Sequence, residues 1–191
     1  MVAQSPTLSP TMAPSYMPTK AAQMMCPDTS SGDWDEMELN GGTLIFKHAI
    51  VMAKSTNERS ILCARLESDM ESYIGFVISP SGTMAGGEAV IGLPDPDSGS
   101  GTVKKYALSA TPRSATEMPP EKQTLLFTSV TQGDGRTVME FVKYLKEEGD
   151  DEHAINPDGE NTFLFALGTD NTLGYHSTRR GSFTLVFDAM L

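Results

Sequence analysis

From residue 32 onward, the sequence is a series of short apolar runs separated by turn-forming residues, and this pattern strongly restricts the fold. The runs are six to eleven residues long, and Gly, Asp, Pro and Ser separate them. In one run, Leu62, Ala64 and Leu66 alternate with residues of the opposite face, as in a half-buried strand. Strands are predicted at residues 43–53, 60–66, 73–79, 88–93, 103–108, 125–131, 137–145, 162–167 and 182–187.

Only residues 138–148 compete as a helix, and a strand fits them about as well. The segment 132–136, Gln-Gly-Asp-Gly-Arg, is typical of a hairpin connection, because glycine readily adopts a positive φ. About nine strands without a long helix predict an all-β sandwich or barrel.

The N-terminal region differs in composition. Residues 5–19 are rich in Ser, Thr and Pro, which favours extended polyproline geometry and is typical of O-glycosylated stalks outside cells. We therefore predict a stalk or linker at residues 1–31 and one β-sandwich domain at residues 32–191. The segment that begins Met1-Val-Ala lacks the apolar core of a secretion signal, so we expect that such a signal was removed or is not included in this sequence.

Net charge and cysteine content restrict the ligands and the cellular location that this chain can have. The net charge of −11, without a basic stripe, argues against nucleic-acid binding. No apolar run is long enough for a transmembrane segment. Cys26 and Cys63 are expected to form one disulfide, which favours a secreted or cell-surface protein; the alternative is two unpaired thiols.

Catalytic signatures are missing from the sequence. It contains no G-x-S-x-G, P-loop, H-E-x-x-H or G-x-G-x-x-G motif, so we expect a binding or carrier domain rather than an enzyme. His48 and His153 are predicted to be structural or solvent-facing, and the acidic run 147–152 to be a solvated turn. Met84 and His176 differ, because Met84 lies in a Gly-rich turn and His176 in a polar loop beside the last strand.

Four stretches resemble the DOMON family over about residues 33–188: 73–79 (YIGFVIS), 84–92 (MAGGEAVIG), 163–168 (FLFALG) and 176–181 (HSTRRG). The order and spacing agree with the family pattern, although Tyr73 stands where the family often has Trp. The resemblance implies an immunoglobulin-like antiparallel β-sandwich of about nine to eleven strands. It also implies a place among secreted or membrane-attached redox proteins.

In the haem-binding branch of that family, a Met and a His hold one non-covalent haem b. The resemblance implies these iron ligands at Met84 and His176, from two loops expected at one end of the sandwich. Four further residues are expected near the porphyrin. They are Phe76 and Tyr175, and Arg179 and Arg180. The first two would form apolar walls of its slot, and one of the last two would pair with a propionate group. The alternative for the last two is a solvated turn.

The sequence thus predicts an extracellular haem b domain acting in electron transfer with a separate redox partner. Some DOMON members lack the ligands and bind sugars or have no established ligand. The alternative is therefore a haem-free carbohydrate-binding, structural or adhesive sandwich that contacts a cell-surface component or belongs to a surface assembly.

Overall fold

Period-two alternation builds two antiparallel sheets in this chain. A computed structural model of the 191-residue chain describes residues 26–56, 58–110, 113–150 and 152–187. The predicted stalk therefore falls largely outside the described residues. Within them, eleven strands form a five-stranded and a six-stranded sheet, which confirms the all-β sandwich.

The five-stranded sheet has the order β1-β2-β3-β9-β8. Its strands are β1 (Asp35–Leu39), β2 (Leu44–Val51), β3 (Ile61–Ser68), β8 (Phe127–Gly133) and β9 (Arg136–Tyr144). The six-stranded sheet has the order β11-β10-β4-β5-β6-β7. Its strands are β4 (Ile74–Ile78), β5 (Glu88–Pro94), β6 (Gly101–Ala110), β7 (Arg113–Glu117), β10 (Glu160–Leu167) and β11 (Arg180–Val186).

Helical structure in the described part of the chain is confined to two short 3-10 turns, Asn40–Gly42 and Pro120–Lys122. None of these described residues belongs to a helix of the length and apolarity that a membrane crossing requires. The predicted hairpin is confirmed: Gly133 pairs with Arg136, and Asp134 and Gly135 both have positive φ. The segment that could have been a helix is largely strand β9.

An aromatic core fills the space between the sheets. Phe76 on β4 lies 5.0 Å from Phe163 and 5.5 Å from Phe141, measured between ring centroids, so one ring contacts side chains from both sheets. His48 is also inside this core, 5% exposed, and its pKa is lowered by burial, with a smaller opposing effect of Asp35. A structural role for His48 agrees with this placement.

A cluster of four buried charges joins the sheets at one end of the sandwich. Glu88 and Lys105 come from the six-stranded sheet, Lys143 comes from β9, and Glu147 follows β9. The Lys105 Nζ atom lies 2.6 Å from Glu147 and 3.1 Å from Glu88, and the Lys143 Nζ atom lies 3.3 Å from Glu88. Glu147 is only 6% exposed. The prediction of a solvated turn is therefore wrong for Glu147, because the two ammonium groups draw its carboxylate inside.

The predicted disulfide is confirmed. Cys26 bonds to Cys63 with a Cα–Cα distance of 5.9 Å. Cys63 lies on the outer face of β3 in an apolar cluster with Ile61 and Val142, whereas Leu62 belongs to the core between the sheets. The bridge therefore fixes residue 26 to the outer face of the five-stranded sheet.

We expect Cys26→Ser to lower the free energy of unfolding by up to about 4 kcal/mol, because the bridge closes a loop of 37 residues in the unfolded chain. Urea denaturation of the variant and of the oxidised wild type measures this difference. The reduced wild type is the control and should match the variant. Equal stability of the oxidised wild type and the variant would contradict the prediction.

Candidate functional site

A cavity of about 390 Å³ lies on the outer face of the six-stranded sheet, not between the sheets. Its floor is formed by outward-facing residues of neighbouring strands, most of which belong to a second apolar cluster separate from the core. These floor residues are Tyr73, Gly75, Val77, Ala89, Ile91, Leu108, Leu164 and Ala166. An apolar concavity of this size is typical of a small-molecule site.

Small side chains at the centre of the floor create the space. Gly75, Ala89 and Ala166 lie where larger apolar residues would fill the cavity. A Cβ atom built on Gly75 would lie 3.6 Å from the Ala166 carbonyl oxygen, which is an ordinary contact. The backbone at residue 75 therefore tolerates a side chain, and the absence of one there leaves the cavity open.

The structure brings Met84 and His176 together on the wall of this one cavity. Met84 is half-buried in the turn between β4 and β5 and packs against the apolar cluster of the floor. His176 is half-buried in the loop between β10 and β11. The sequence therefore identified two residues, 92 positions apart, that the fold places at the same site.

The two loops reach the cavity from opposite ends of strand β4. The Met84 turn follows Ile78, whereas the His176 loop follows Leu167, which pairs with Ile74 at the other end of β4. The expectation that both loops lie at one end of the sandwich is wrong, because β4 and β10 are antiparallel neighbours. Both side chains nevertheless line the same cavity on the face of the sheet.

Hydrogen bonds hold the His176 loop in place. The Tyr73 hydroxyl donates to the Gly174 carbonyl at 2.7 Å, and the Arg179 amide donates to the His176 carbonyl at 2.9 Å. Tyr73 also lines the cavity, so this residue both shapes the floor and anchors the loop. Sequence reasoning noted Tyr73 only as a departure from the family pattern.

The surroundings of His176 lower the pKa of its imidazole. Burial lowers its pKa, Arg180 lowers it further by repulsion, and a hydrogen bond to the Gly174 backbone partly opposes both effects. A ring that donates one N–H to a carbonyl keeps a lone pair on its other nitrogen. Such a nitrogen can ligate a metal ion.

The other predicted site residues are placed differently. Arg180 lines the cavity, but the Arg179 guanidinium donates to the Gly168 carbonyl at 3.0 Å and stabilises the loop. Phe76 points into the core between the sheets and does not reach the cavity. Tyr175 is 73% exposed and does not line the cavity either.

The strand arrangement is similar to that of a solved structure. This chain matches the cytochrome b domain of pyranose dehydrogenase from Coprinopsis cinerea with a TM-score of 0.57 and 14% sequence identity. The match covers 80% of this chain and 81% of that domain. The two chains share a fold.

No family model matches the sequence of this chain. The DOMON resemblance therefore remains a prediction, and the similarity to a cytochrome b domain is consistent with it. At this level of identity, the comparison describes the sandwich and does not assign a ligand to the cavity.

We expect Gly75→Leu to fill the cavity and weaken the binding of a small apolar fluorescent dye at least about tenfold, which is about 1.4 kcal/mol. Gly133→Leu is the control, because a Cβ atom there meets nothing within 4 Å and Gly133 lies on the β8–β9 hairpin. Dye titration of the wild type and both variants measures the effect. Equal affinity of the two variants would show that the dye does not enter the cavity.

Proposed function

We propose that this domain binds one haem b non-covalently in the cavity and acts in electron transfer. The observation that carries the proposal is that a thioether and an imidazole, those of Met84 and His176, line one apolar cavity. The fold shared with a cytochrome b domain supports the proposal.

The residues at the cavity fit this cofactor. An apolar floor suits the porphyrin face, and Met and His form a ligand pair known from electron-transfer haem proteins. The chain has no C-x-x-C-H motif, so the porphyrin would be held by its ligands and by apolar contacts. Held by these two residues, haem would supply a one-electron couple suited to electron transfer.

Each side chain of the site has a separate task. His176 would supply the nitrogen ligand from its loop, and Met84 would supply the sulfur ligand from its turn. Arg180 lines the cavity with a guanidinium, which matches the carboxylate groups of a porphyrin. Tyr73 holds the His176 loop and closes part of the floor.

The domain would pass its electron to a separate redox partner rather than transform a substrate itself. The Cys26–Cys63 disulfide favours a location outside the cytosol. We therefore propose an extracellular or cell-surface electron carrier.

Carbohydrate binding is a second candidate because the Tyr175 ring is 73% exposed beside the cavity loop. An exposed aromatic ring offers a flat apolar surface for a sugar. A soluble β-glucan oligosaccharide should then shift the NMR signals of the Tyr175 loop. An unchanged spectrum would dismiss this candidate.

We expect His176→Ala to abolish most haem binding, because the remaining thioether and apolar contacts must then hold the porphyrin. Met84→His should retain haem and lower its reduction potential, and Met84→Ala should open a coordination position and change the spin state. Haem titration followed by absorption spectroscopy and a redox titration measures these effects.

The matched controls are His48→Phe, in the core, and Met52→Ala, at a partly exposed position away from the cavity. Both should bind haem with the wild-type spectrum. If the wild type supplied with haem develops no Soret band, the proposal fails. An unaltered low-spin spectrum in His176→Ala would show that another residue ligates the iron.

A further inference from the structure

His153 connects the loop after β9 to the turn that carries Met84. Its Nε2 atom lies 2.9 Å from the Gly86 carbonyl oxygen, and its Nδ1 atom lies 2.8 Å from the Asp150 Oδ1 atom. Gly86 is two residues from Met84, and His153 is 67 residues from Gly86. A side chain from a distant segment therefore holds the turn of the proposed iron ligand.

Both ring nitrogens of His153 face oxygen atoms that accept hydrogen bonds. A backbone carbonyl can only accept, and an ionised carboxylate can only accept. A neutral imidazole carries one N–H and satisfies one of these contacts, whereas the protonated ring satisfies both. The geometry thus requires a proton on each nitrogen for the complete bridge.

Other hydrogen bonds also hold the Met84 turn, among them one from the Ser79 hydroxyl to the Thr83 carbonyl and one from the Leu108 amide to the Gly87 carbonyl. The Gly86 amide donates to the Leu108 carbonyl at 2.9 Å, and the Gly87 amide donates to the Met84 carbonyl at 3.2 Å. Gly86 has a φ of +76°, so the turn depends on a backbone conformation that few other residues adopt. The Gly86 carbonyl points to His153, so a hydrogen bond from the imidazole ring also stabilises the turn.

Buried charged groups determine the protonation of the acids that lie beside His153. Burial raises the pKa of Glu88, with Lys143 and Lys105 opposing the rise. Burial also acts to raise the pKa of Asp150, but hydrogen bonds with His153 and Glu88 outweigh it and lower the pKa. Asp150 therefore holds the negative charge that faces His153.

Among the described residues, Glu147 is a further charge near this group, and it is paired with Lys105 and Lys143. Glu88, Asp150 and His153 place ligand atoms within 4.8 Å of one another, as in a cation site. The ammonium groups of Lys105 and Lys143, 3.1 and 3.3 Å from Glu88, disfavour a metal ion there. The cluster therefore fits a protonated His153 better than it fits a bound metal ion.

We propose that His153 is a positioning residue for the Met84 turn, which it fastens to Asp150 while its ring is protonated and releases when the proton is lost. The consequence for iron ligation rests on the proposed function, whereas the fastening itself does not. In the haem-loaded protein, the Met84 sulfur would ligate more firmly at acidic pH than at alkaline pH.

The direction of the pH dependence follows from the surroundings of the ring. Burial lowers the pKa of His153, but the hydrogen bonds to Gly86 and Asp150 and the charges of Asp150 and Glu88 outweigh burial and raise it. The stabilisation is fully present below the unfolded-state pKa of about 6.5 and is lost as the pH rises through the higher folded-state pKa.

The test uses the full chain without haem. Hydrogen exchange of the Gly86 and Gly87 amides, measured by NMR and corrected for intrinsic rates, reports whether the turn is closed. We expect the protection of the wild type to fall about tenfold from pH 6 to pH 9, as the loss of a hydrogen bond to a charged group would give. His153→Gln should show no such pH dependence, because an amide does not titrate.

Glu152→Gln is the matched control, since it removes a charge at the neighbouring exposed position and should behave as the wild type. Protection of the wild-type turn that does not change with pH would overturn the proposal. So would a His153→Gln variant that keeps the wild-type pH dependence.

A second measurement separates this inference from the proposed function. In the haem-loaded wild type, the reduction potential and the low-spin fraction should fall between pH 6 and pH 9, and both should stay level in His153→Gln. If no haem binds, the proposed function fails while hydrogen exchange still decides the role of His153. If haem binds and the turn shows no pH dependence, only the role of His153 is wrong.

Discussion

The site depends on one constraint: strands β4 and β5 are apolar on both faces. Ile74, Phe76 and Ile78 point into the core, while Val77 and Ile91 point to the opposite side. A sheet with two apolar faces must be covered on both, and the five-stranded sheet covers one. On the other face, loops and a cavity occupy the place of a further layer, so the fold provides an apolar surface where a ligand can bury itself.

The buried charges at the end of the sandwich explain how this surface is held at a fixed position. Glu88 begins β5, directly after the Met84 turn, and it pairs with Lys143 of the opposite sheet. Such a pair contributes little net stability over an apolar one, but the loss of one partner leaves a costly unpaired charge. The cluster therefore links the start of β5, directly after the Met84 turn, to the opposite sheet.

Much of the sandwich could be predicted from local pattern, because nine strands have clear alternation or buried apolar runs. Strands β1 and β7 were missed because they are short and polar edge strands, with the sequences DEMEL and RSATE. The placement of Phe76 failed for a different reason. Side chains alternate between the two faces of a strand. In β4, Ile74 lies in the core, so Phe76, two residues later, lies there too.

Within the site, sequence motifs could select Met84 and His176 because each lies in a loop with an unusual composition. The contacts that support them were beyond sequence reasoning. Tyr73 reaches Gly174 across 101 residues, and His153 reaches Gly86 across 67, and only the sheet order makes these pairs neighbours. The acidic run 147–152 likewise does not reveal that Glu147 pairs with two lysines from different sheets, Lys105 and Lys143.

The disulfide has a consequence for the orientation of the whole domain. Cys26 is fixed to the outer face of the five-stranded sheet, whereas the cavity opens on the outer face of the six-stranded sheet. The chain therefore enters the domain on the side opposite the cavity. An attachment made at residue 26 would therefore contact the face opposite the cavity and leave the cavity accessible.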